Sequence, residues 1–420
     1  MWLLRLAFNS LRNRLSTALL TVSTIALSVA LLLGVHMVRN AARESFENTL
    51  SGTDLIVGAR TGPIDLLLLS VFRLGNADAN VSWKSYQKIA HHPDVAWTIP
   101  ISLGDMHRGF RVLGTNGDYF LHYRFNAGRP LTFERGGPFR DLFDAVVGAD
   151  VARTMHYEIG TQITLSHGTG EVSFVDHADK PFHIVGILAP TGTPVDRTVH
   201  VSLEAISAMH ADWQGGTQAP KKFRLTPDEV RARDLTPDSV TAFLVGMRSK
   251  VMTFTMQRAI NSYREEPLLA ILPGVTLTEL WNLVGVADTA LIIVSAFVVA
   301  AGLLGMMTSI LAGLNERRRE MAILRSVGAR AHHVFSLLVA ESGLLALAGT
   351  LGGVCLCYGL VVATQTFLGT RLGIDIAIRP LGFEDIAILI AVLASALVAG
   401  MIPAFRAYRN TLSDGLQLRT

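Results

Sequence analysis

The chain has 420 residues, of which 50% are hydrophobic and 17% are charged, and its mean hydropathy is +0.38. Soluble domains carry about 25% charged residues, so this composition excludes a protein that is soluble throughout. The formal net charge is only +3, and no basic patch is interleaved with aromatic residues, so we expect no nucleic-acid partner.

The first apolar stretch predicts a membrane span at residues 16–38, after an amphipathic cytoplasmic segment at residues 1–15. The alternative is a cleaved signal peptide, which has a basic start and a shorter apolar core. Here the apolar core reaches the roughly 20 residues that a bilayer requires, and no small-residue cleavage site follows it promptly. We therefore predict a retained membrane anchor.

Residues 39–283 are more polar and predict a large extracytoplasmic domain of α+β type. Ser82 is a candidate N-cap for a short helix. Strand-like runs are predicted at residues 97–103, 110–114, 162–166, 182–188, 241–247 and 268–272. Between about residues 125 and 235, short β runs alternate with Gly, Pro and Asp turns. This pattern predicts a β-rich lobe inserted into an α+β lobe.

Two helices are predicted to continue beyond the membrane as a stalk. After the first span, Val38, Ala42, Phe46 and Leu50 recur four residues apart. The second apolar stretch is about 30 residues long, which as a helix measures roughly 45 Å and exceeds the bilayer thickness. The alternative is a frayed extension that transmits nothing.

Three further spans are predicted close together, at residues 284–312, 334–368 and 386–405. The remaining segments are a cytoplasmic loop at 313–333, a short outer loop at 369–385 and a cytoplasmic tail at 406–420. Arginines cluster before the first span, in the 313–333 loop and after the last span. Because short cytoplasmic segments carry an excess of Lys and Arg, both termini are predicted to be cytoplasmic. The fold class is thus an integral membrane protein with four transmembrane α-helices and a large α+β domain outside.

The cytoplasmic loop at residues 313–333 predicts a short amphipathic helix that docks against a partner protein. Apolar residues recur three apart from Met321, and Gly328 is a candidate C-cap. Membrane topology explains the arginines but not Glu316 and Glu320, because the positive-inside effect requires no acidic residues. The predicted docking residues are Glu316, Arg317, Arg318, Arg319, Glu320, Met321, Leu324, Arg325 and Gly328.

Residues 316–329 read ERRREMAILRSVGA, which resembles the ERxRE(I/M)xxLRxxGA signature of MacB/FtsX-type ABC permeases. This type VII group includes the LolC and LolE lipoprotein-release subunits. Further similar stretches are LAFNSLRNRLSTALLTVSTIALSVA, VVGADVA, FHIVGILAPTGTPVDRTVHV and PAFRAYR. The resemblance covers nearly the whole chain, with residues 284–405 as an FtsX-like permease domain.

The resemblance implies that the loop helix sits in a cleft of an ATPase subunit and that two permeases pair, as a homodimer or a heterodimer. It also implies porter-like and sabre-like outer lobes that move when the ATPases close, a mode called mechanotransmission. The sequence contains no G-x-x-x-x-G-K-[ST] phosphate loop, so we expect a separate ATPase chain to bind ATP and Mg²⁺. No cofactor and no catalytic residue are predicted for this chain itself.

Three further residues, Glu341, Gly349 and Gly353, are candidate sites within or near the spans. Glu341 lies in an apolar run, either paired with an arginine near the inner interface or acting as a switch coupled to the loop. Gly349 and Gly353 form a G-x-x-x-G pattern that permits close helix approach, within one chain or between two.

Histidines are numerous in the middle of the outer domain, and we expect them to be ordinary surface residues. They are His156, His167, His177, His183, His200 and His210. His177 and His183 are weak metal candidates, because no established zinc-binding spacing accompanies them.

The sequence therefore predicts a non-enzymatic ABC permease subunit of the inner membrane that exports or extracts a lipophilic or envelope cargo such as a lipoprotein. One alternative is an FtsX-like transducer that transports nothing and activates an envelope protein. Another is an accessory subunit for zinc handling. Expected partners are ABC ATPase subunits, a second permease, membrane lipid and a periplasmic adaptor or cargo protein.

Overall fold

The computed structural model describes residues 2–77, 79–169, 172–176, 180–211, 213–214, 217–218, 225–316, 329–372 and 380–413. The chain divides into two compact units. One comprises Met1–Ala42 and Val284–Thr420, and we call it the membrane unit. The other comprises Arg43–Leu283, and we call it the α/β unit.

The described helices are α1 (Trp2–Asn13), α2 (Leu15–Thr49), α3 (Pro63–Ser70), α4 (Trp83–Ala90), α5 (Asp118–His122), α6 (Ala149–Met155), α7 (Leu203–His210), α8 (Pro227–Arg231), α9 (Thr253–Asn261), α10 (Pro273–Glu316), α11 (Ala331–Leu372) and α12 (Phe383–Ser413).

The described strands are β1 (Leu55–Ala59), β2 (Val81–Ser82), β3 (Val95–His107), β4 (Phe110–Thr115), β5 (Arg124–Phe125), β6 (Arg129–Pro130), β7 (Phe133–Gly136), β8 (Asp144–Val147), β9 (Gln162–Ile163), β10 (Ser166–Thr169), β11 (Val172–Asp176), β12 (Phe182–Leu188), β13 (Thr198–Ser202), β14 (Trp213–Gln214), β15 (Thr217–Gln218), β16 (Ser239–Val240), β17 (Ala242–Met247) and β18 (Leu268–Ile271).

Four of the described helices are long and apolar enough to cross a bilayer, and each contains one predicted span. The membrane-compatible stretches are Leu15–Ala41, Pro273–Gly313, His332–Thr364 and Phe383–Arg409. Helices α2 and α10 extend well beyond the predicted spans at 16–38 and 284–312, as the stalk prediction requires. Helix α2 has 35 residues and is therefore about 52 Å long.

The short elements predicted at both ends of the α/β unit are confirmed, and the largest change in bounds is in β3, which spans Val95–His107 where a strand at 97–103 was predicted. Ser82 caps α4, because its hydroxyl accepts a hydrogen bond from the Ser85 backbone N–H. The strand predicted at 268–272 ends at Ile271 because Pro273 opens α10. Proline is well suited to a first helical turn, where no backbone N–H is needed.

The described part of the α/β unit is organised around one 12-stranded mixed sheet, whose main path runs in the order β18-β1-β17-β3-β4-β13-β8-β12-β7. Most neighbours are antiparallel, whereas β13 runs parallel to β4 and β12 runs parallel to β8. Strand β3 serves two parts of this sheet. Its first half pairs with β17, and its second half pairs with β4 and β10.

The region predicted as an inserted lobe, residues 125–235, has most of its strands in the main sheet, and only the short pair β14–β15 forms a sheet of its own within it. Its strands β13, β8, β12 and β7 extend the sheet that starts with the flanking strands. The cores are nevertheless partly distinct. One buried cluster around Val147, Phe182 and Val201 belongs mainly to the insertion, and another around Val57, Tyr86 and Phe243 belongs mainly to the flanking elements. A third buried cluster joins the two, with Ile99 and Leu244 of the flanking elements packed with Leu188 of the insertion. The insertion therefore has part of its core to itself and shares both a buried cluster and its backbone hydrogen bonding with the flanking elements.

Candidate functional site

The predicted docking helix lies between α10 and α11. Helix α10 ends at Glu316 and α11 begins at Ala331. Residues 317–328 and the side chain of Glu316 lie outside the described part of the chain. The docking roles of Arg317, Arg318, Arg319, Glu320, Met321, Leu324, Arg325 and Gly328 therefore stay predictions.

The glycine pair of α11 packs against α2 within one chain. A Cβ atom at Gly349 would lie 2.6 Å from the Cβ of Ile25, and one at Gly353 would lie 2.6 Å from the Cβ of Val29. Real side chains do not approach so closely, so these positions accept glycine alone without movement of the helices. The G-x-x-x-G pattern thus allows close approach of the first and third spans.

Small and hydroxyl residues make the other close contacts of the membrane unit. The Ser28 hydroxyl of α2 lies 3.2 Å from the Val298 carbonyl oxygen of α10, beside Gly302. On α11, Ser342 is fully buried against Gly400 of α12. Each pair lets two helix backbones approach, which is how membrane helices gain dispersion contacts without a hydrophobic driving force.

Glu341 lies next to this contact and is buried, with 3% of its surface exposed. The structure thus places this carboxyl group inside the helical bundle. A buried intramembrane carboxyl is costly and marks a position where polar partners matter. The pairing role and the switch role of Glu341 both stay predictions.

A polar cluster near the start of α12 was not predicted. Imidazole Nε2 of His36 on α2 lies 3.3 Å from a carboxylate oxygen of Glu384 and 3.5 Å from Asp385 Oδ1. The other Asp385 oxygen accepts a hydrogen bond from the Gly382 backbone N–H and so caps the helix. The acidic start of α12 is visible in the sequence, but its pairing with His36 depends on how the spans pack.

The end of α2 is held by polar contacts inside the α/β unit. The Tyr123 hydroxyl donates a hydrogen bond of 2.7 Å to the Thr49 carbonyl oxygen. The backbone N–H of Asn126 donates to the Asn48 carbonyl oxygen at 2.8 Å, and that of Ser51 donates to the Arg124 carbonyl oxygen at 2.9 Å. Helix ends carry carbonyl groups without intrahelical partners, and these bonds satisfy two of them.

An aromatic cluster lies beside this helix end. Phe46 of α2 packs on Phe72 with ring centroids 4.2 Å apart and meets Trp281 of α10 edge to face at 5.6 Å. The indole Nε1 of Trp281 is buried and has no hydrogen-bond partner among the described residues. Both long helices thus contribute aromatic anchors to the same patch of the α/β unit.

Behind the helix end lies a group of buried titratable side chains. Arg73, in a left-handed conformation with φ of 62°, donates to the Ser70 carbonyl oxygen. Burial raises the pKa of Tyr119 to about 12, and nearby Arg73 opposes that rise. Burial and the charge of Arg73 lower the pKa of His200 to about 3. The expectation of a surface location is therefore wrong for His200, because both faces of the central strand β13 are covered and all five of its residues are buried.

The metal candidates are not brought together. His177 lies outside the described residues, and His183 is exposed on strand β12. Among the residues that the structure describes, no group of three or more His, Cys, Asp or Glu side chains is arranged to hold a metal ion.

Comparison with known proteins assigns both units to described families. The MacB-like periplasmic core domain matches residues 18–261, and the FtsX-like permease C-terminal domain matches residues 292–412. The macrolide export ATP-binding/permease protein MacB of Escherichia coli K12 is 32% identical over 149 residues, covering 32% of this chain and 22% of that protein. Its counterpart from Hyphomonas neptunium is 29% identical over 116 residues, covering 28% of this chain and 17% of that protein.

Two solved structures resemble the chain at low overall similarity. The periplasmic region of MacB from Actinobacillus actinomycetemcomitans has a TM-score of 0.36 and 9% identity, covering 56% of this chain and 95% of that one. The extracellular domain of the transporter YknZ from Gram-positive bacteria has a TM-score of 0.31 and 11% identity, covering 52% and 99%.

The chain covers only about a fifth of the length of the curated relatives that it matches, 22% in the case of MacB from Escherichia coli K12. The match to the MacB-like periplasmic core domain nevertheless covers more than half of this chain, and the FtsX-like match runs from within the second span to residue 412. The chain belongs to the MacB/FtsX-type family of ABC transporter permeases.

Proposed function

We propose that this permease subunit converts ATP hydrolysis by a separate ATPase chain into motion of its α/β unit outside the membrane. The observation that supports this proposal best is helix α2. It is one continuous helix from Leu15 to Thr49, and its last residues are hydrogen-bonded within the α/β unit. A continuous helix is stiff over this length, so displacement at one end reaches the other.

In this proposal, segment 313–333 receives the motion of the ATPase on the cytoplasmic side. Residues 39–283 lie on the opposite side, where they act on the cargo. The described core of the membrane unit is lined by small and apolar residues such as Val29, Met306, Ala346 and Ala396. Such a core suits a bundle that moves as a body, so the cargo need not pass between the spans.

The cargo that we propose is a lipophilic or envelope-associated molecule, of which a lipoprotein is one example. The curated relatives carry macrolide export in their names, and a macrolide is likewise a lipophilic molecule. Two permeases are proposed to pair around two ATPase subunits, with ATP and Mg²⁺ bound by the ATPase chains.

The coupling role of segment 313–333 is tested by reversing charges in it. Variants Arg318→Glu and Glu320→Arg are expected to insert into the membrane normally but to lose the nucleotide-binding subunit that co-purifies with the tagged wild-type chain. Vanadate-sensitive ATPase activity of the purified sample is expected to fall at least tenfold, because the docking surface then repels its partner.

Arg409→Glu is the matched control, because it reverses one exposed arginine within the predicted cytoplasmic tail. It is expected to retain the ATPase subunit. Retention of that subunit and of ATP hydrolysis in both loop variants would show that coupling occurs elsewhere. Retained coupling with no movement of any envelope cargo would favour the FtsX-like transducer instead.

A further inference from the structure

Three titratable side chains meet where α2 lies beside the start of α12 in the membrane unit. Nε2 of His36 lies 3.3 Å from Oε2 of Glu384 and 3.5 Å from Oδ1 of Asp385. We call these three residues the α2–α12 cluster. They lie near the end of the membrane-compatible stretch Leu15–Ala41, and the arginine distribution predicts that this end faces the outside.

Asp385 is the buried acid of the α2–α12 cluster. Its side chain is 5% exposed, whereas that of Glu384 is 76% exposed. One oxygen, Oδ2, accepts a hydrogen bond of 2.8 Å from the Gly382 backbone N–H. The other, Oδ1, is buried and forms no hydrogen bond among the described residues. A buried carboxylate is costly unless a positive charge or a proton compensates it. Helix capping thus explains one oxygen of Asp385 and leaves the other beside His36.

The imidazole of His36 has both kinds of hydrogen-bonding partner around one nitrogen. Asn40, one turn further along α2, places its amide Nδ2 3.0 Å from the same Nε2. An amide N–H donates, so the Asn40 contact requires Nε2 without a proton. An ionised carboxylate only accepts, so the contacts with α12 require Nε2 with a proton. Histidine ordinarily changes between these states near physiological pH, and here each state has a partner in place.

The other groups around the cluster keep one charge over this pH range. Cys357 and Tyr358 of α11 pack in the same buried cluster as the end of α2, and thiols and phenols are ordinarily neutral at pH 7. Arg39 follows on α2 and makes an interaction of its own. Residues 373–379, between α11 and α12, lie outside the described part of the chain. Among the described residues, His36 is the group here that ordinarily titrates between about pH 5 and 8.

From this geometry we infer that His36, Glu384 and Asp385 form a proton-operated contact between the first and fourth spans. With a proton on Nε2, His36 is a cation that binds both carboxylates and fastens α2 to α12. Without it, Nε2 accepts from Asn40 and the carboxylates lose their attraction to α2. The exposed Glu384 gives the proton a route to solvent. The contact therefore strengthens as the external pH falls. Because only side chains of this chain take part, it operates independently of the proposed function.

The test measures the separation of α2 and α12 in the full-length protein in lipid nanodiscs, at pH 5.5 and at pH 8.5. Nitroxide labels are attached at Val38→Cys and Ile386→Cys, both 45% exposed, in a Cys355→Ala background. The wild-type sequence is compared with His36→Gln, which cannot become a cation, and with His36→Lys, which is a cation at both pH values. His332→Gln is the matched control, because it removes an exposed histidine near the start of α11.

We expect the distance distribution of the wild type and of His332→Gln to be at least twofold narrower at pH 5.5 than at pH 8.5. His36→Gln is expected to be broad at both pH values, and His36→Lys narrow at both. A wild-type distribution of equal width at the two pH values overturns the inference, and so does a pH response that survives in His36→Gln.

Two further comparisons keep the test decisive if His36→Gln folds poorly. A folded His36→Lys sample that broadens at pH 8.5 as the wild type does would show that charge at this position does not hold the contact. Asp385→Asn removes the buried charge, and its amide oxygen can still accept the bond from the Gly382 N–H. We expect its pH response to be at least twofold smaller than that of the wild type, and a full response would likewise overturn the inference.

Discussion

His200 shows how much a single residue can contribute to the pH dependence of the protein's stability. It is fully buried and packs against Tyr119 with tilted rings, and burial together with the charge of Arg73 lowers its pKa to about 3. The imidazole is therefore neutral in the folded protein at any pH above that value. The sequence could not predict this, because strand alternation fixes a face and only the neighbouring elements decide whether that face is covered.

The sign of the pH effect follows from this lowered pKa. An unfolded chain binds a proton on His200 below about pH 6.5, whereas the folded chain does not until about pH 3. The contribution of His200 to stability is thus complete above pH 6.5 and is lost as the pH falls, at about 1.4 kcal/mol per pH unit.

We predict that the full-length protein in nanodiscs loses about 2 kcal/mol of unfolding free energy at pH 5 through this one residue. His200→Leu is expected to remove that component, so thermal unfolding midpoints depend less steeply on pH. His183→Leu, at an exposed position on β12, is expected to keep the wild-type slope. An unchanged slope in His200→Leu would contradict the assignment.

At the scale of elements, the sequence predicted the helices and the central strands because long apolar runs and N-cap signals are local. It predicted less well how elements meet. The Gly349–Gly353 pattern on α11 was compatible with two partners, and its contact with Ile25 and Val29 of α2 depends on helix packing. The His36 contacts with α12 were invisible for the same reason.

The glycine contact gives a prediction about helix association. Gly353→Ala would place a Cβ 2.7 Å from the Ala26 carbonyl oxygen, so α2 and α11 must separate. We expect the thermal midpoint in nanodiscs to fall, with a cost of about 1–3 kcal/mol, as is typical of overpacking. Gly359→Ala in the same helix is the control, because nothing lies within 4 Å of its added Cβ. Equal midpoints for the two variants would argue against this contact.

At the scale of the whole molecule, arginine distribution predicts which side of the membrane each unit occupies. The fold class follows from composition and apolar length, which are properties of whole segments. The continuity of the 12-stranded sheet does not follow from these properties, because the β17–β3 and β4–β13 pairings join residues far apart in sequence.

Orientation is checked by adding one cysteine at a time to a Cys355→Ala background, in which the remaining native cysteine, Cys357, is buried. Val251, 83% exposed in the α/β unit, is expected to react as Val251→Cys with a membrane-impermeant maleimide in intact spheroplasts. Arg330→Cys, at an exposed position before α11, is expected to react only after permeabilisation. The opposite labelling pattern would show that the α/β unit is cytoplasmic and that residue 330 is not. The proposed coupling would then have no basis.

The parallel pairing of β13 with β4 limits how such proteins can be recombined. Residues Thr198–Ser202 form the ladder partner of Arg111–Thr115, so excising residues 125–235 would leave β4 with a bare edge. Unprotected edges invite intermolecular association. A chimaera that receives this region from another permease must therefore reproduce the β4 register, and grafts chosen by domain boundaries alone are expected to aggregate.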